Sequence, residues 1–213
     1  MSTVDLAPTS TDLLPAGASL EGSSRVAEAA VSALFPGRWS PRGLSPRPVP
    51  ADVLDSLFEA ARWAPSSSND QPWRFVVATT EEELARFRPL LLDGNRIWAD
   101  AAPVLAFVVA DRERPRDQGA NPAALFDTGA AWMALALQAH LLGLATHAMG
   151  GIHADQVHAA LGLDPERYAV ICAVAIGYWD PEAPLTGWRV DAERPNARRP
   201  LSEFVHHGTF RPE

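Results

Sequence analysis

The chain has 213 residues, enough for one α/β domain with a full core but too short for two comfortable ones. Its formal net charge of -8 argues against a nucleic-acid backbone as the main partner. All 18 basic residues are arginines, which excludes lysine-dependent chemistry and leaves arginines and backbone amides to hold any anion.

The composition also indicates where the protein works. Cys172 is the single cysteine, so no internal disulfide can form and a reducing cytoplasm is expected. No apolar run reaches the roughly 18 residues that a membrane helix needs. The first residues lack the basic segment and apolar core of a secretory signal. We therefore expect a cytoplasmic protein without a membrane partner.

The first predicted element is an arm. Residues 1–24 are rich in Ser, Thr, Ala, Pro and Gly and are interpreted as a flexible N-terminal arm, with a docked extension as the alternative. A single domain is expected over residues 25–213. It opens with a short predicted helix over 25–34, which Pro36-Gly37 stops.

Helices and strands alternate along the rest of the chain. Apolar residues repeat at helical spacing over 51–63, and Thr80 with Glu83 forms a capping box that opens a helix to about Leu92. The longest predicted helix, 123–142, has almost no polar face, so its own domain or a second subunit must surround it. Further predicted elements are strands at 73–78, 103–110 and 168–176 and a helix at 154–161. The alternation predicts an α+β or α/β sandwich.

The most informative passage is the polar loop before the first of these strands, Pro65-Ser66-Ser67-Ser68-Asn69-Asp70-Gln71-Pro72-Trp73. Its serines and amides offer both donors and acceptors to the edge of a flat heteroaromatic ring. An ordinary turn has the same composition, because Ser, Asn, Asp and Pro dominate turns. Composition alone leaves both interpretations open.

Five motifs resemble the nitroreductase family of FMN proteins, in the right order from about residue 31 to residue 210. The loop has that family's Pro-Ser-x-x-Asn-x-Gln-Pro-Trp pattern. Arg38-x-Ser40-x-Arg42 resembles the family's upstream phosphate-and-flavin segment. The other three matches are the small-residue helix that ends at 142–146, the glycine turn at 149–152 and the closing segment at 198–205.

The resemblance implies an α+β fold, a nitroreductase-like three-layer α/β/α sandwich with a mixed, mostly antiparallel sheet. It also implies a domain-spanning homodimer with FMN at the subunit interface and the loop contributed by the opposite subunit. The implied cofactor-binding residues are Arg38, Trp39, Ser40, Arg42, Pro65, Ser66, Ser67, Asn69, Gln71, Gly150, Gly151, Arg198 and Arg199. Arginine forks with a hydroxyl suit a phosphate dianion, and Arg42 is the candidate cation beside the ring.

Some positions depart from the family pattern. Trp39 stands where the family often has Arg or His, and Pro41 replaces an aliphatic residue. Asn95 is only an approximate counterpart of an asparagine that family members place near the flavin. Of the two neighbouring arginines at the closing segment, Arg199 is preferred for the phosphate because it directly precedes Pro200.

The implied function is an FMN-dependent oxidoreductase that transfers hydride from NAD(P)H to an electron-poor acceptor such as a nitro compound or quinone. The expected kinetics are ping-pong, and no catalytic side chain is named. Two alternatives stay open: an FMN-dependent dehydrogenase or oxidase acting on a biosynthetic intermediate, and a flavin-less binding or accessory protein of the same fold. Trp39 and Pro41 keep the second alternative open.

Other reactive residues suggest no different chemistry. The histidines lack metal-binding spacing, so no metal is predicted. No nucleophile elbow indicates a hydrolase. Cys172 lies among apolar residues and is interpreted as an inert core thiol. Of the seven tryptophans, Trp63, Trp73 and Trp132 fall at positions expected to be buried.

Overall fold

A computed structural model gives the structure of residues 13–20 and 23–211, which form six strands and seven α-helices. The strands are β1 (Leu13–Leu14), β2 (Val31–Ser32), β3 (Trp73–Ala78), β4 (Val104–Asp111), β5 (Ala145–Met149) and β6 (Tyr168–Gly177). The helices are α1 (Leu34–Gly37), α2 (Ala51–Arg62), α3 (Glu81–Phe87), α4 (Asp93–Ala99), α5 (Ala124–Leu141), α6 (Ala154–Leu161) and α7 (Trp188–Asp191).

The middle layer is a four-stranded antiparallel sheet in the order β3-β4-β6-β5. The continuous apolar run forms β4, which lies inside the sheet with every residue buried. Side chains alternate across a strand, so β4 supplies two cores. Leu105 and Phe107 belong to one core, and Val104 and Val108 belong to the other. Helices therefore have to cover both faces of the sheet.

Two helical layers provide that cover and complete the predicted three-layer sandwich. On one face α2 and α5 pack through Leu57 and Leu135 against β4 and β6. On the other face α3, α4 and α6 contribute Phe87, Trp98 and Val157. Within residues 13–20 and 23–211, no helix is both long enough and apolar enough to cross a membrane.

Most elements after residue 50 lie within a few residues of their predicted bounds. The capping box is present, with the Glu83 amide donating to Thr80 Oγ1 and the Thr80 amide donating to the Glu83 carboxylate. Gly143 follows α5 at φ +72°, a conformation that glycine adopts without steric cost. Three short elements were missed, α4, β5 and α7, because none has a clear period of its own.

The predicted helix over 25–34 is wrong. Its residues form an irregular segment that ends in β2, and α1 begins at Leu34. Tertiary contacts hold this segment in place of a helix. The amide of Ala27 donates to the Ala18 carbonyl oxygen, and the buried Arg25 side chain donates to main-chain oxygens outside the segment. The Ala27 carbonyl oxygen also accepts from the Gly17 amide, so it is not free for the amide four residues later in a helix.

The described part of the N-terminal segment follows the docked alternative. β1 pairs antiparallel with β2, and Ser19 bridges to Val26, so residues 13–20 lie against the segment that precedes α1. Residues 1–12 and 21–22 of the expected arm lie outside the described residues. The boundary at residue 24 stays a prediction.

Candidate functional site

Five arginines line one cavity of about 740 Å³ between the segment after α1, β5 and the C-terminal part of the chain. Its lining residues are Arg25, Arg38, Trp39, Ser40, Arg42, His147, Trp188, Asp191, Ala192, Arg194, Asn196 and Arg198. Asp191 is the one acidic residue in this set, so most of the positive charge has no balancing carboxylate in the cavity wall. Such a cavity attracts an anion.

Arg38 and Ser40 form the centre of this positive region. The Arg38 Nη1 atom donates to Ser40 Oγ at 3.2 Å, which places a guanidinium and a hydroxyl side by side. Burial, and after it the charge of Arg198, lowers the pKa of Arg38. Because Arg38 and Arg198 repel each other, an anion between them would relieve the repulsion.

The main chain of the Arg38–Arg42 segment is fixed from several directions. His147 Nδ1 donates to the Pro41 carbonyl oxygen at 3.0 Å. The Glu193 carboxylate accepts from the Arg42 amide at 2.9 and 3.0 Å and from the Gly43 amide at 2.8 Å. These bonds fix the main chain from which Arg38, Ser40 and Arg42 extend into the cavity.

The Arg42 guanidinium lies against an aromatic face. Its Cζ atom is 4.7 Å from the centroid of the Trp188 ring, a cation–π distance. Burial lowers the pKa of Arg42, the nearby Glu193 carboxylate opposes that shift, and Arg189 adds to it. Trp39, by contrast, packs edge-on against Trp179 at 5.6 Å and provides an apolar wall.

The glycine turn follows β5, whose His147 lines the cavity. Asn95 Nδ2 donates to the Gly151 carbonyl oxygen at 3.0 Å, which places Asn95 beside the turn. A Cβ atom at Gly151 would lie 2.5 Å from Asn95 Nδ2, so a side chain there would displace that amide. A Cβ at Gly150 would meet nothing within 4 Å, and the chain leaves open space there.

The polar loop has an unusual backbone. Ser68, Asn69 and Gln71 adopt positive φ angles of 53°, 58° and 48°. Each such residue costs roughly 1–2 kcal/mol when it is not glycine, and somewhat less for Asn. Asp127 Oδ2 accepts from the Ser67 amide at 3.0 Å and so attaches the loop to the first turn of α5.

The structure brings some of the predicted residues together and leaves others apart. Arg38, Trp39, Ser40, Arg42 and Arg198 line the arginine cavity, and the glycine turn follows the strand that flanks it. No residue of the 65–71 loop lines that cavity in the single described chain.

In the single chain, Arg198 rather than Arg199 lines the arginine cavity. Arg199 lies 3.7 Å from Glu203 and lines a separate, more apolar cavity, whereas Arg198 lines both cavities. Which of the two arginines binds the phosphate therefore stays a prediction.

Several residues around the site were missed by sequence reasoning. Arg25, Glu193 and Asp127 act through contacts over 171, 151 and 60 positions respectively, and no local pattern marks them. Trp188, which lies against Arg42, carries no sequence motif either. Its position beside Arg42 comes from the fold of the C-terminal segment.

Comparison with known proteins agrees with this fold. The sequence profile of the Nitroreductase family matches residues 36–97 and 93–178, more than half of the chain. The chain belongs to the nitroreductase family. A protein provisionally named NADH dehydrogenase/NAD(P)H nitroreductase from Stenotrophomonas maltophilia (strain R551-3) is 36% identical over 83 residues. That alignment covers 39% of this chain and 42% of the relative, less than half of either.

Two further comparisons extend over more of the chain. The CLA biosynthesis enone reductase of Lactiplantibacillus plantarum is 29% identical over 177 residues, covering 67% of this chain and 81% of the enzyme. A crystal structure described as an oxidoreductase containing FMN has 38% identity and a TM-score of 0.86. It covers 92% of this chain and 100% of that protein.

Proposed function

We propose that this chain is an FMN-dependent oxidoreductase that takes reducing equivalents from NAD(P)H and passes them to an electron-poor organic acceptor. The observation that carries the proposal is the arginine cavity, with the Ser40 hydroxyl in its wall and the glycine turn after β5, the strand whose His147 lines it. The similar structure that contains FMN and the family membership support the same cofactor.

The residues fit the phosphate end of FMN. A phosphate dianion needs cations and hydroxyl donors, and Arg38, Ser40 and Arg198 offer both in one wall of the cavity. Burial and the charge of Arg198 lower the pKa of Arg38, and a bound dianion would offset the repulsion between the two guanidiniums. Serine and arginine together would hold the phosphate, as the sequence motif predicts.

The residues also fit the ring end. Arg42 is the cation that would stabilise negative charge on the pyrimidine side of the ring, and Glu193 keeps its backbone in place. Gly150 leaves room for a planar group, and Asn95 fixes the main chain at Gly151. FMN, when bound, supplies the redox chemistry by accepting hydride from a reduced nicotinamide and donating it to the acceptor.

We propose that a second copy of the chain completes the site. Trp63, expected to be buried, is 73% exposed, and Phe126 on α5 is 82% exposed. Trp63 precedes the polar loop, and Phe126 precedes the Asp127 that holds it. The loop therefore lies in an apolar surface that a second copy would cover, and it would contribute to the site of the partner subunit.

The acceptor is proposed at the level of a chemical class. The names of the relatives include a nitroreductase and an enone reductase, and nitro groups and enones are both electron-poor. A cavity with Trp39 and Trp188 in its wall suits a flat unsaturated molecule. The ping-pong order of substrates follows if donor and acceptor use the same space in turn.

The test is an anaerobic titration of the purified protein with NADPH and with NADH, followed through the visible flavin spectrum. We expect the protein to be yellow, to bleach with at least one nucleotide and to regain colour with a nitroarene, quinone or enone. A flavin that ignores both nucleotides would favour the dehydrogenase or oxidase alternative. A protein that stays colourless after FMN is added would refute the proposal.

A further inference from the structure

We propose that Arg25, outside the family match, is a third arginine of the phosphate site and the residue that holds its two halves together. The two halves are the segment after α1, which carries Arg38 and Ser40, and the C-terminal segment, which carries Arg198. The inference rests on the proposed function, since the anion that it names is the phosphate of FMN.

The hydrogen bonds of Arg25 join the two halves of the proposed phosphate site. Its Nη1 atom donates to the carbonyl oxygens of Pro36 and Arg38, each at 2.7 Å. Its Nε atom donates to the carbonyl oxygen of Asn196 at 2.9 Å. One guanidinium thus joins two segments that are about 160 residues apart in the chain, and both carry residues of the proposed phosphate site.

The charge of Arg25 indicates a second role, attraction of an anion. The residue is only 7% exposed and makes no ion pair with a carboxylate of residues 13–20 and 23–211. Its bonds to described residues use Nε and Nη1, which leaves Nη2 without a protein partner among them. A buried cation without a counter-charge is costly, and an anion in the cavity that it lines would supply the counter-charge.

The neighbouring arginines strengthen this reasoning. Burial, then the charges of Arg198 and Arg38, lowers the pKa of Arg25. Three guanidiniums therefore repel one another across the same wall, and removal of any one would reduce the attraction for a dianion. The pairing of residues 13–20 with the segment before α1 positions Arg25 at the cavity. Next to Arg25, the Ala27 amide donates to the Ala18 carbonyl oxygen and the Gly17 amide donates to the Ala27 carbonyl oxygen.

The experiment compares FMN with riboflavin, which has the same ring and no phosphate. Dissociation constants for both are measured by fluorescence quenching on wild-type protein, Arg25→Ala and Arg25→Gln. Arg25→Gln retains a donor and much of the side-chain length but carries no charge. Arg86→Ala on α3 is the matched control, since Arg86 is exposed and makes no ion pair among the described residues.

We expect Arg25→Ala to weaken FMN binding by about tenfold or more while riboflavin affinity stays within about twofold, as for loss of one charged hydrogen bond. Arg25→Gln should lose most of the preference for FMN and keep its affinity for riboflavin, which also shows that it is folded. Arg86→Ala should match wild type for both ligands.

Two results would overturn the assignment of Arg25. Equal weakening of FMN and riboflavin binding would show a structural role alone, and unchanged FMN binding in both variants would show no role. If the wild-type protein binds neither flavin, or binds both equally, the result refutes the phosphate site of the proposed function as well as the role of Arg25. A wild-type preference for FMN that survives both substitutions refutes only the inference about Arg25.

Discussion

The attachment of the polar loop to α5 can be tested by one substitution, Asp127→Ala. The Asp127 carboxylate is 3% exposed and accepts from the Ser67 amide at 3.0 Å. Removing it leaves the amide without its acceptor and removes the contact between loop and helix. Asp127 does not line the arginine cavity, so an effect on FMN must come through the loop.

The magnitude follows from the backbone of the loop. Ser68, Asn69 and Gln71 adopt left-handed conformations that together cost about 3 kcal/mol or more. A hydrogen bond to a carboxylate contributes about 1.5–3 kcal/mol. Its loss is comparable with the strain that it offsets, so the loop should leave its observed conformation. FMN affinity should fall by about 2 kcal/mol, or roughly 30-fold.

The assay is FMN binding by fluorescence quenching, with urea unfolding measured in parallel. Asp127→Asn retains an acceptor oxygen and should lie between wild type and Asp127→Ala. Asp155→Ala is the matched control, because Asp155 also lies in the first turn of a helix and is exposed. The Asp155→Ala variant loses the same interaction between a carboxylate and a helix N-terminus, but Asp155 does not bond to the polar loop.

One result would refute the reasoning. If Asp127→Ala lowers the free energy of unfolding by about 2 kcal/mol and leaves FMN affinity unchanged, the loop has no part in the flavin site. The proposed contribution of the partner subunit would then fall with it. Equal losses of FMN affinity in Asp127→Ala and Asp155→Ala would show that the effect comes from the charge at the helix N-terminus and not from the loop.

Three further predictions concern the cavity, the histidines and the interface. Arg38→Ala should weaken FMN binding by about 2 kcal/mol by titration calorimetry, and an unaltered affinity would contradict the phosphate assignment. Burial lowers the pKa of His147, so the unfolded chain takes up its proton first as the pH falls below about 6.5. The free energy of unfolding should therefore decrease from neutral pH towards acid, less steeply in His147→Gln, and parallel profiles for the two proteins would contradict this. Phe126→Asp should dissociate the proposed dimer in sedimentation velocity, since burial of each Phe in the interface would contribute roughly 2 kcal/mol to association, whereas Ala85→Asp on α3 should not. A dimer of unchanged strength would place the interface elsewhere.

The layered fold could be predicted because its elements have local causes. β4 is a run of apolar residues with no polar face, and α3 begins at a capping box that four neighbouring residues define. The helix α2 was predicted from its apolar period, and α5 was predicted from a long run of small and apolar residues. The family motifs then ordered these elements into a sandwich.

The segment around Arg25 shows where such prediction fails. Residues 25–34 have an acceptable helical composition, but the Arg25 side chain bonds to oxygens 11, 13 and 171 positions away. These tertiary contacts outweigh a weak local propensity. The exposure of Trp63 was also not predicted, and the proposed second copy of the chain would account for it.

The candidate site was predicted in part for a related reason. The Arg38–Arg42 segment is local in sequence, and its residues do share one cavity wall. The residues that fix its backbone, Glu193 and His147, come from distant elements and carry no motif. No local pattern shows that Arg198 rather than Arg199 lines this cavity, because that depends on the path of the C-terminal segment.

The most direct measurement is a crystal structure of the chain grown with FMN. We predict one FMN per subunit in a two-fold dimer, with its phosphate on Arg38, Ser40 and Arg198 and its ring between the Gly150 turn and the 65–71 loop of the partner subunit. A flavin bound within one isolated chain, or a phosphate placed away from the arginine cavity, would contradict the account.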